Sequence, residues 1–168
     1  MVGFIQLIQR NKRRYGGMLV HLGTLTMVAG FVGSGLFQEE RNLFLSLGDT
    51  LRIGSWSLTL QSVDKTARRN WKADEAVFKA ENNGKTILLK PQKRTYSKSD
   101  QPTTEAAIHS AWNEDLYVVM GDAVKEGVWS FRIYRTPLVS WVWTGTGIMI
   151  VGVFWAMMQG RRLQRKPV

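Results

Sequence analysis

His21 is the residue whose type and position could do chemistry in this sequence. It lies within Tyr15 to Phe37, a run of 23 residues that contains no Asp, Glu, Lys or Arg. An ionisable side chain inside such an apolar run is costly to place in a membrane, and it indicates a function. A neutral imidazole can bridge two helices by a hydrogen bond, ligate haem iron or another metal, or relay protons. From the residues alone, all three roles stay open.

Three small or medium side chains are predicted to share a helix face with His21. On a helix, positions four before, three after and seven after a residue lie on the same side. Here these positions are Gly17, Thr24 and Val28. Small residues beside a membrane histidine allow either the close approach of another helix or room for a flat macrocycle.

The remaining residues do not form a recognisable catalytic site. His109 is the second of only two histidines, and the nearby Glu105, Glu114 and Asp115 have no familiar metal-ligand spacing. The sequence contains no Cys, and it has no nucleophile motif, phosphate loop or HExxH pattern. The chain by itself is therefore not predicted to be an enzyme.

Two apolar runs, 15–37 and 138–158, are long enough to cross a hydrocarbon core of about 30 Å as helices. Four basic residues precede the first run and four follow the second, so 8 of the 10 net positive charges lie at the chain ends. This distribution argues against nucleic-acid binding, and the positive-inside rule places both ends in the cytoplasm.

The predicted organisation has five parts and both termini on the cytoplasmic side of a bacterial-type inner membrane. All 13 acidic residues lie between Glu39 and Glu126, in the part predicted to be periplasmic. The parts are a cytoplasmic amphipathic and basic segment (1–14), transmembrane helix 1 (15–37), an external β domain (38–136), transmembrane helix 2 (137–159) and a cytoplasmic basic tail (160–168).

The middle region is predicted to be a small antiparallel β-sandwich or barrel. Polar and apolar residues alternate over 56–61 and 76–81, and Asn83-Gly84 is a strong hairpin signal. Further strands are expected at 104–110, 116–120 and 128–134. The polar stretch from Lys90 to Gln101 contains Pro91 and is predicted to be a loop. Its cations are either simply solvated or could bind an acidic partner or a propionate. The predicted fold class is thus an integral membrane α + β protein, with two helices flanking an external β domain.

Several motifs resemble the C-terminal region of the haem lyase family, the cytochrome c-type biogenesis protein CcmF. The likeness extends in order over essentially the whole chain, but it leaves out the family's long N-terminal part. The segments that carry it are Asn11-Lys12-Arg13-Arg14-Tyr15-Gly16-Gly17, His21-Leu22-Gly23, Pro91-Gln92-Lys93-Arg94 with Tyr96, Thr103-Thr104-Glu105-Ala106-Ala107-Ile108, Asp115-Leu116-Tyr117-Val118, Trp129, Arg132, Pro137-Leu138-Val139 and Trp141-Val142-Trp143 with Gly145.

The resemblance implies a role for His21. In that family a histidine at the matching helix position is an axial ligand of a b-type haem, paired with a histidine of another helix. His21 would then ligate the haem iron, with Gly17, Thr24 and Val28 on the haem face. The implied role of this haem is to keep the incoming haem, or its chaperone adduct, reduced. His109 matches no ligand position of the family and inherits no role.

The resemblance also implies a function and partners. The chain would be a subunit of a haem lyase that joins haem vinyl groups to the two thiols of an apocytochrome c. Its partners would be the N-terminal haem lyase portion with its Trp-rich segment, a haem chaperone, apocytochrome c and the proteins that reduce or present it. The alternative is a membrane-anchored scaffold without cofactor, in which His21 only makes a hydrogen bond between helices.

Overall fold

The computed structural model describes residues 11–97 and 99–158. The chain divides into two compact units, which are described separately below. One contains the two helices, and the other is the β domain from Phe37 to Pro137. Residues 1–10 of the predicted amphipathic and basic segment lie outside the described residues. The predicted basic tail also lies outside them.

Two helices in the described part are long and apolar enough to cross a membrane. Helix α1 spans Lys12–Leu36 and helix α2 spans Val139–Met157. Each begins and ends within three residues of the range that hydropathy predicts.

The two helices pack through glycines that repeat every seven residues along α1. A Cβ added to Gly23 would lie 2.6 Å from the carbonyl oxygen of Gly145, and one added to Gly16 would lie 2.7 Å from that of Gly152. In lipid, where the hydrophobic effect does not drive helices together, such close backbone approach provides the packing contacts. The α1–α2 interface therefore requires glycine at these positions, because a side chain there would clash with the other helix. The buried residues of α1 are Gly16, Gly23, Gly30 and Gly33.

Leu138, the residue before α2, adopts a left-handed conformation with φ of 59°. This conformation is uncommon for a residue with a Cβ. Its side chain lies against α1, because a Cβ added to Gly33 would come within 2.5 Å of Leu138 Cδ1. The turn that starts α2 therefore also contributes to the contact between the helices.

The described part of the β domain contains ten antiparallel strands in two sheets, so the predicted fold class is confirmed. One sheet has the order β1-β10-β9-β8. The other has the order β2-β3-β4-β6-β7, with β5 also paired to β4. The strands are β1 (Glu39–Ser46), β2 (Thr50–Ile53), β3 (Trp56–Arg68), β4 (Trp71–Asn82), β5 (Lys85–Leu89), β6 (Gln92–Tyr96), β7 (Ser99–Glu105), β8 (Ala107–Ser110), β9 (Glu114–Lys125) and β10 (Val128–Pro137).

The core lies between the inner faces of the two sheets. Phe78 of β4 meets Phe131 of β10 edge to face, with ring centroids 4.8 Å apart. Alternate residues of β3, β4, β9 and β10 point inward, as the period of a half-buried strand requires. Fully buried neighbours of this aromatic pair include Leu58, Leu60, Leu116, Val118, Met120 and Ile133.

The prediction of a loop from Lys90 to Gln101 was wrong, because most of the described part of this segment belongs to strands β6 and β7. Pro91 is buried, and β6 and β7, which follow it in the sequence, form a hairpin. Lys93 contacts Asp122 of β9, and Arg94 lies 4.6 Å from the ring centre of Trp71. These long-range partners, which local sequence does not reveal, order the polar stretch. The predicted strand 104–110 also divides at Ala106, because β7 and β8 belong to different sheets.

A buried carboxylate lies at one end of the β-sandwich. Glu114 is 4% exposed and accepts hydrogen bonds from Arg135 Nε at 2.6 Å and from Trp56 Nε1 at 2.8 Å. Burial lowers the pKa of Arg135, but its bonds and attraction to Glu114 and Glu39 outweigh burial and raise that pKa above its ordinary value. Gly54 leaves the space for the guanidinium, since a Cβ there would lie 2.5 Å from Arg135 Nε.

We expect Gly23→Ala to destabilise the helix pair, because its methyl group would meet the α2 backbone within 3 Å. Gly17→Ala is the matched control. A Cβ at Gly17 meets nothing within 4 Å, so this variant should be stabilised by up to about 1 kcal/mol through helix propensity. The measurement is the unfolding midpoint of the full chain in mild detergent titrated with sodium dodecyl sulfate. Equal shifts in the two variants would contradict the glycine interface.

We expect Arg135→Met to cost about 3–5 kcal/mol of unfolding free energy, because it leaves the buried Glu114 charge without its ion pair. The matched control is Arg132→Met on the same strand, whose guanidinium is 57% exposed and lies 3.7 Å from Glu40. Solvent screens an exposed pair of this kind, so its loss should change the stability little. Thermal unfolding of the full chain, followed by the β-sheet circular dichroism signal, measures both. A loss no larger than that of the control would show that the buried pair is dispensable.

Candidate functional site

His21 lies on the face of α1 that points away from α2. At 100° per residue, it is about 160° around the helix from Gly23, which contacts α2. Its side chain is exposed, although it lies in the middle of an apolar helix. The helix pair therefore leaves the histidine accessible to a group or a helix outside this chain.

The imidazole is held by its own helix. His21 Nδ1 lies 2.8 Å from the carbonyl oxygen of Gly17. A carbonyl oxygen can only accept, so Nδ1 carries the proton and donates it. Nε2 makes no hydrogen bond within the described part of the chain. In the neutral ring Nε2 then has a free lone pair, which is the arrangement found in metal-ligating histidines whose other nitrogen donates to a carbonyl.

The three residues predicted to share a face with His21 divide into two groups. Gly17 faces open space, and Val28 is 48% exposed, so both lie beside the accessible imidazole. The Thr24 hydroxyl instead donates to the carbonyl oxygen of Val20 at 2.9 Å and contacts Met149 Sδ of α2 at 3.7 Å. Thr24 therefore lies at the boundary between the histidine face and the helix interface.

Residues 11–97 and 99–158 contain no cluster of metal-ligating side chains. They contain no group of three or more His, Cys, Asp or Glu that could hold a metal ion. His109 packs its ring edge to face against Trp56, with centroids 5.4 Å apart, and it borders a small cavity of about 180 Å³ that Glu114 also lines. The hydrogen bonds of Glu114 to Trp56 and Arg135 explain why this carboxylate is buried. We therefore infer that Glu114 stabilises the domain.

A larger cavity of about 450 Å³ opens on the β domain between β1, β9 and β10. Arg132 and Tyr134 lie at its wall, together with apolar side chains such as Phe44. The described residues that line it include no carboxylate or histidine, and Arg132 lies 3.7 Å from Glu40. A separate apolar groove of about 340 Å³ lies on the helix pair, and its lining includes Met27 and Phe154 but not His21.

The cations of the predicted loop, which the sequence leaves either solvated or able to bind an acidic partner or a propionate, mostly have partners within the described β domain; Lys98 lies outside the described residues. Lys93 pairs with Asp122, Arg94 lies 3.4 Å from Glu105, and Lys90 lies 4.0 Å from Glu75. Sequence reasoning missed Trp71, whose ring has the guanidinium of Arg94 at 4.6 Å and that of Arg68 at 5.8 Å. The sequence signal for this contact was the position of Trp71 among the basic residues Arg68, Arg69 and Lys72.

The comparison with known families identifies the β domain. The family described as the CcmF C-terminal beta-sandwich matches residues 36–137, which coincide with the β domain of the structure. This match covers more than half of the chain. The two apolar helices border the matched range, since α1 ends at Leu36 and α2 begins at Val139.

Similar proteins extend the match to the helices. The cytochrome c-type biogenesis protein CcmF of Pseudomonas aeruginosa is 33% identical over 142 residues, which are 83% of this chain and 22% of that protein. CcmF of Escherichia coli is 30% identical over 90% of this chain and 24% of its own length. A solved structure titled cytochrome c heme lyase CcmF has a TM-score of 0.71 and 23% identity, covers 89% of this chain and 25% of its own, and shares its fold.

This chain therefore spans about a quarter of the length of the relatives that it matches. The resemblance drawn from the sequence motifs is confirmed by the family match, by the curated relatives and by the shared fold. Both apolar helices are long enough to cross a membrane, and the relatives that the chain matches are named cytochrome c-type biogenesis proteins. The chain belongs to the CcmF family and contains that family's C-terminal β-sandwich.

Proposed function

We propose that this chain is the C-terminal part of a cytochrome c haem lyase and that His21 is one axial ligand of a membrane-embedded b-type haem. The single observation that carries the ligand assignment is the bonding of the imidazole. Nδ1 donates to Gly17, and Nε2 is unpartnered on the accessible face of α1. The names of the relatives, which refer to cytochrome c biogenesis and to a haem lyase, support the functional class.

The residues around His21 fit a flat macrocycle. Gly17 has no side chain and faces open space, so a planar group can approach the helix backbone there. Val28 would provide an apolar contact two turns further along α1. A bound b-type haem would supply one-electron redox chemistry. Gly17 would fix the orientation and the tautomer of the ligating imidazole, which in turn raises its basicity toward iron.

We place the second axial ligand outside this chain. His109, the other histidine, lies in the β domain and packs against Trp56. We propose that an N-terminal haem lyase portion with a Trp-rich segment supplies it, because this chain covers only about a quarter of the length of its relatives. A haem site shared in this way would also bury the apolar face of α1 that α2 leaves exposed.

The proposed membrane orientation places residues 38–136 in the periplasm and both termini in the cytoplasm. The basic residues at the two ends support it, because cytoplasmic flanks of transmembrane helices are enriched in Lys and Arg. In this arrangement the β domain faces the compartment in which the haem chaperone and apocytochrome c would be met. The chain has no Cys, so both thiols that receive haem would belong to the apocytochrome c.

A cofactor-free scaffold is the competing function. It requires the His21 imidazole to serve as a hydrogen-bonding group between helices. Within this chain the ring bonds to its own helix, and α2 contacts the opposite face of α1. A scaffold role would therefore need a helix of another chain on the same face.

We expect His21→Ala and His21→Gln each to reduce the b-type haem content of the assembled complex by at least about tenfold, because neither side chain supplies an imidazole nitrogen. The complex is purified after co-expression of this chain with the N-terminal haem lyase portion. The measurement is its reduced-minus-oxidised visible spectrum, normalised to the amount of this chain.

The matched control is His109→Ala, which removes the other histidine and should leave the b-type signal unchanged. His21→Gln separates the two functions, because glutamine retains hydrogen bonding but ligates iron poorly. Normal haem content and normal cytochrome c maturation in His21→Gln would exclude the ligand role and support the scaffold.

We also expect Gly17→Leu to reduce haem content, because its side chain would fill the open space beside the imidazole. The matched control is Gly35→Leu on the same helix, where a Cβ also meets nothing within 4 Å. Haem content per assembled complex is again the readout. If the two leucine variants retain equal amounts of haem, the macrocycle does not lie over Gly17.

A further inference from the structure

The outer half of β3 is an unpaired sheet edge. Strand β2 pairs with β3 only from Trp56 to Thr59, whereas β4 follows β3 as far as Arg68. On the side away from β4, the described residues provide no backbone partner for 62–68. An unpaired edge of this length presents a row of free N–H and C=O groups, which is a template for another strand.

The hydrogen-bond pattern identifies which residues present these groups. The N–H of Ala76 in β4 donates to Pro91 at 3.0 Å, on the side of β4 away from β3. Ala76 and its partner Val63 are therefore a pair without mutual hydrogen bonds, and the Val63 N–H and C=O point to the free edge. Because the pattern alternates and the register is regular from Ser62, Lys65 and Ala67 point outward as well.

The surroundings of this edge are basic. The paired strands over 62–77 carry four cations, Lys65, Arg68, Arg69 and Lys72, against Asp64, Asp74 and Glu75, and the end of the hairpin from 65 to 72 contains all four cations and no carboxylate. All four cations are exposed, and none forms an ion pair with a described carboxylate. They differ in this respect from Lys93 and Arg94, which are paired within the domain.

We infer that the free edge of β3 over Val63 to Arg68 is a docking site for an extended acidic segment of a partner protein, which adds a strand to the sheet. The backbone groups of Val63, Lys65 and Ala67 would provide affinity, and the cations would select a strand that carries carboxylates. This site goes beyond the proposed haem role and does not depend on it.

Charge argues against a second copy of this chain as the occupant. Edge-to-edge pairing of two copies would bring together two hairpin ends that each carry four cations and no carboxylate over 65–72, and like charges directly opposite each other destabilise a strand pair. An acidic strand of another protein would instead place carboxylates next to these cations. The cations that oppose self-association therefore favour binding of an acidic strand.

The test uses the full chain in detergent micelles and a fluorescent peptide of about seven residues in which valine and glutamate alternate. Two comparison peptides replace glutamate with lysine, or the central valine with proline at the same charge. Binding is measured by anisotropy, and the protection of individual backbone amides is measured by hydrogen exchange. We expect the acidic peptide to bind and to slow exchange at Val63, Lys65 and Ala67, and we expect neither comparison peptide to do so.

Lys65→Pro removes one outward N–H and should weaken binding at least about tenfold beyond Lys65→Ser, which loses only the charge. The paired charge reversal Arg68→Glu and Arg69→Glu should also weaken binding, whereas Lys125→Glu at the end of β9 should not. Unchanged inward amides at Asp64 and Thr66 would verify that each variant retains the β3–β4 pairing.

Three results would overturn the inference. Equal binding of the acidic and the proline-containing peptides, without amide protection, would mean that only charge is recognised. Binding of vesicles rich in phosphatidylserine, without binding of the acidic peptide, would make this a lipid surface. The absence of binding by either probe, with the fold intact, would show that the edge receives no acidic strand.

Discussion

Backbone contact between α1 and α2 is the constraint on which the proposed site depends. The two helices approach so closely at Gly16, Gly23, Gly145 and Gly152 that no side chain fits between them. This interface occupies one face of α1 and leaves the opposite face, which carries His21, without a partner in the described chain. A larger interface residue would separate the helices, and it would change which face of α1 is available to another chain.

The hydrogen bond from His21 to Gly17 links the local helix geometry to the proposed chemistry. A helix residue reaches the carbonyl four positions earlier without any tertiary contact, so α1 alone sets the imidazole tautomer. Gly17 then serves twice, since its carbonyl accepts the bond and its missing side chain leaves space. The β domain provides no comparable ligand, because its own histidine packs against Trp56.

The β domain combines an apolar centre with a charged end. Phe78 and Phe131 join the sheets through an aromatic contact, and burial of the surrounding side chains provides most of the stabilisation. At one end Glu114 is buried only because Arg135 and Trp56 satisfy its oxygens. At the β3–β4 hairpin the balance differs, since four cations next to an open strand edge form no ion pair with a described carboxylate.

The sequence alone determined the features that depend on local pattern. Uninterrupted apolar runs predict α1 and α2, alternation predicts the β domain, and the ordered motifs around His21 and Pro137 indicate the CcmF family. These signals are strong because a helix of membrane-spanning length and a hairpin at Asn83-Gly84 are encoded by neighbouring residues. The haem-face prediction was also local, and it places Gly17 and Val28 beside the imidazole as helical spacing requires.

Only the tertiary structure decided which residues meet across the chain. Lys90 to Gln101 looks like a polar loop, but contacts with Trp71 and Asp122 order it as part of a sheet. Thr24 shares the spacing of Gly17, yet the position of α2 turns its hydroxyl toward Met149. The pairing of Glu114 with Arg135 and the open edge of β3 likewise depend on strand order. Such features arise from contacts between residues far apart in sequence, which local periodicity does not encode.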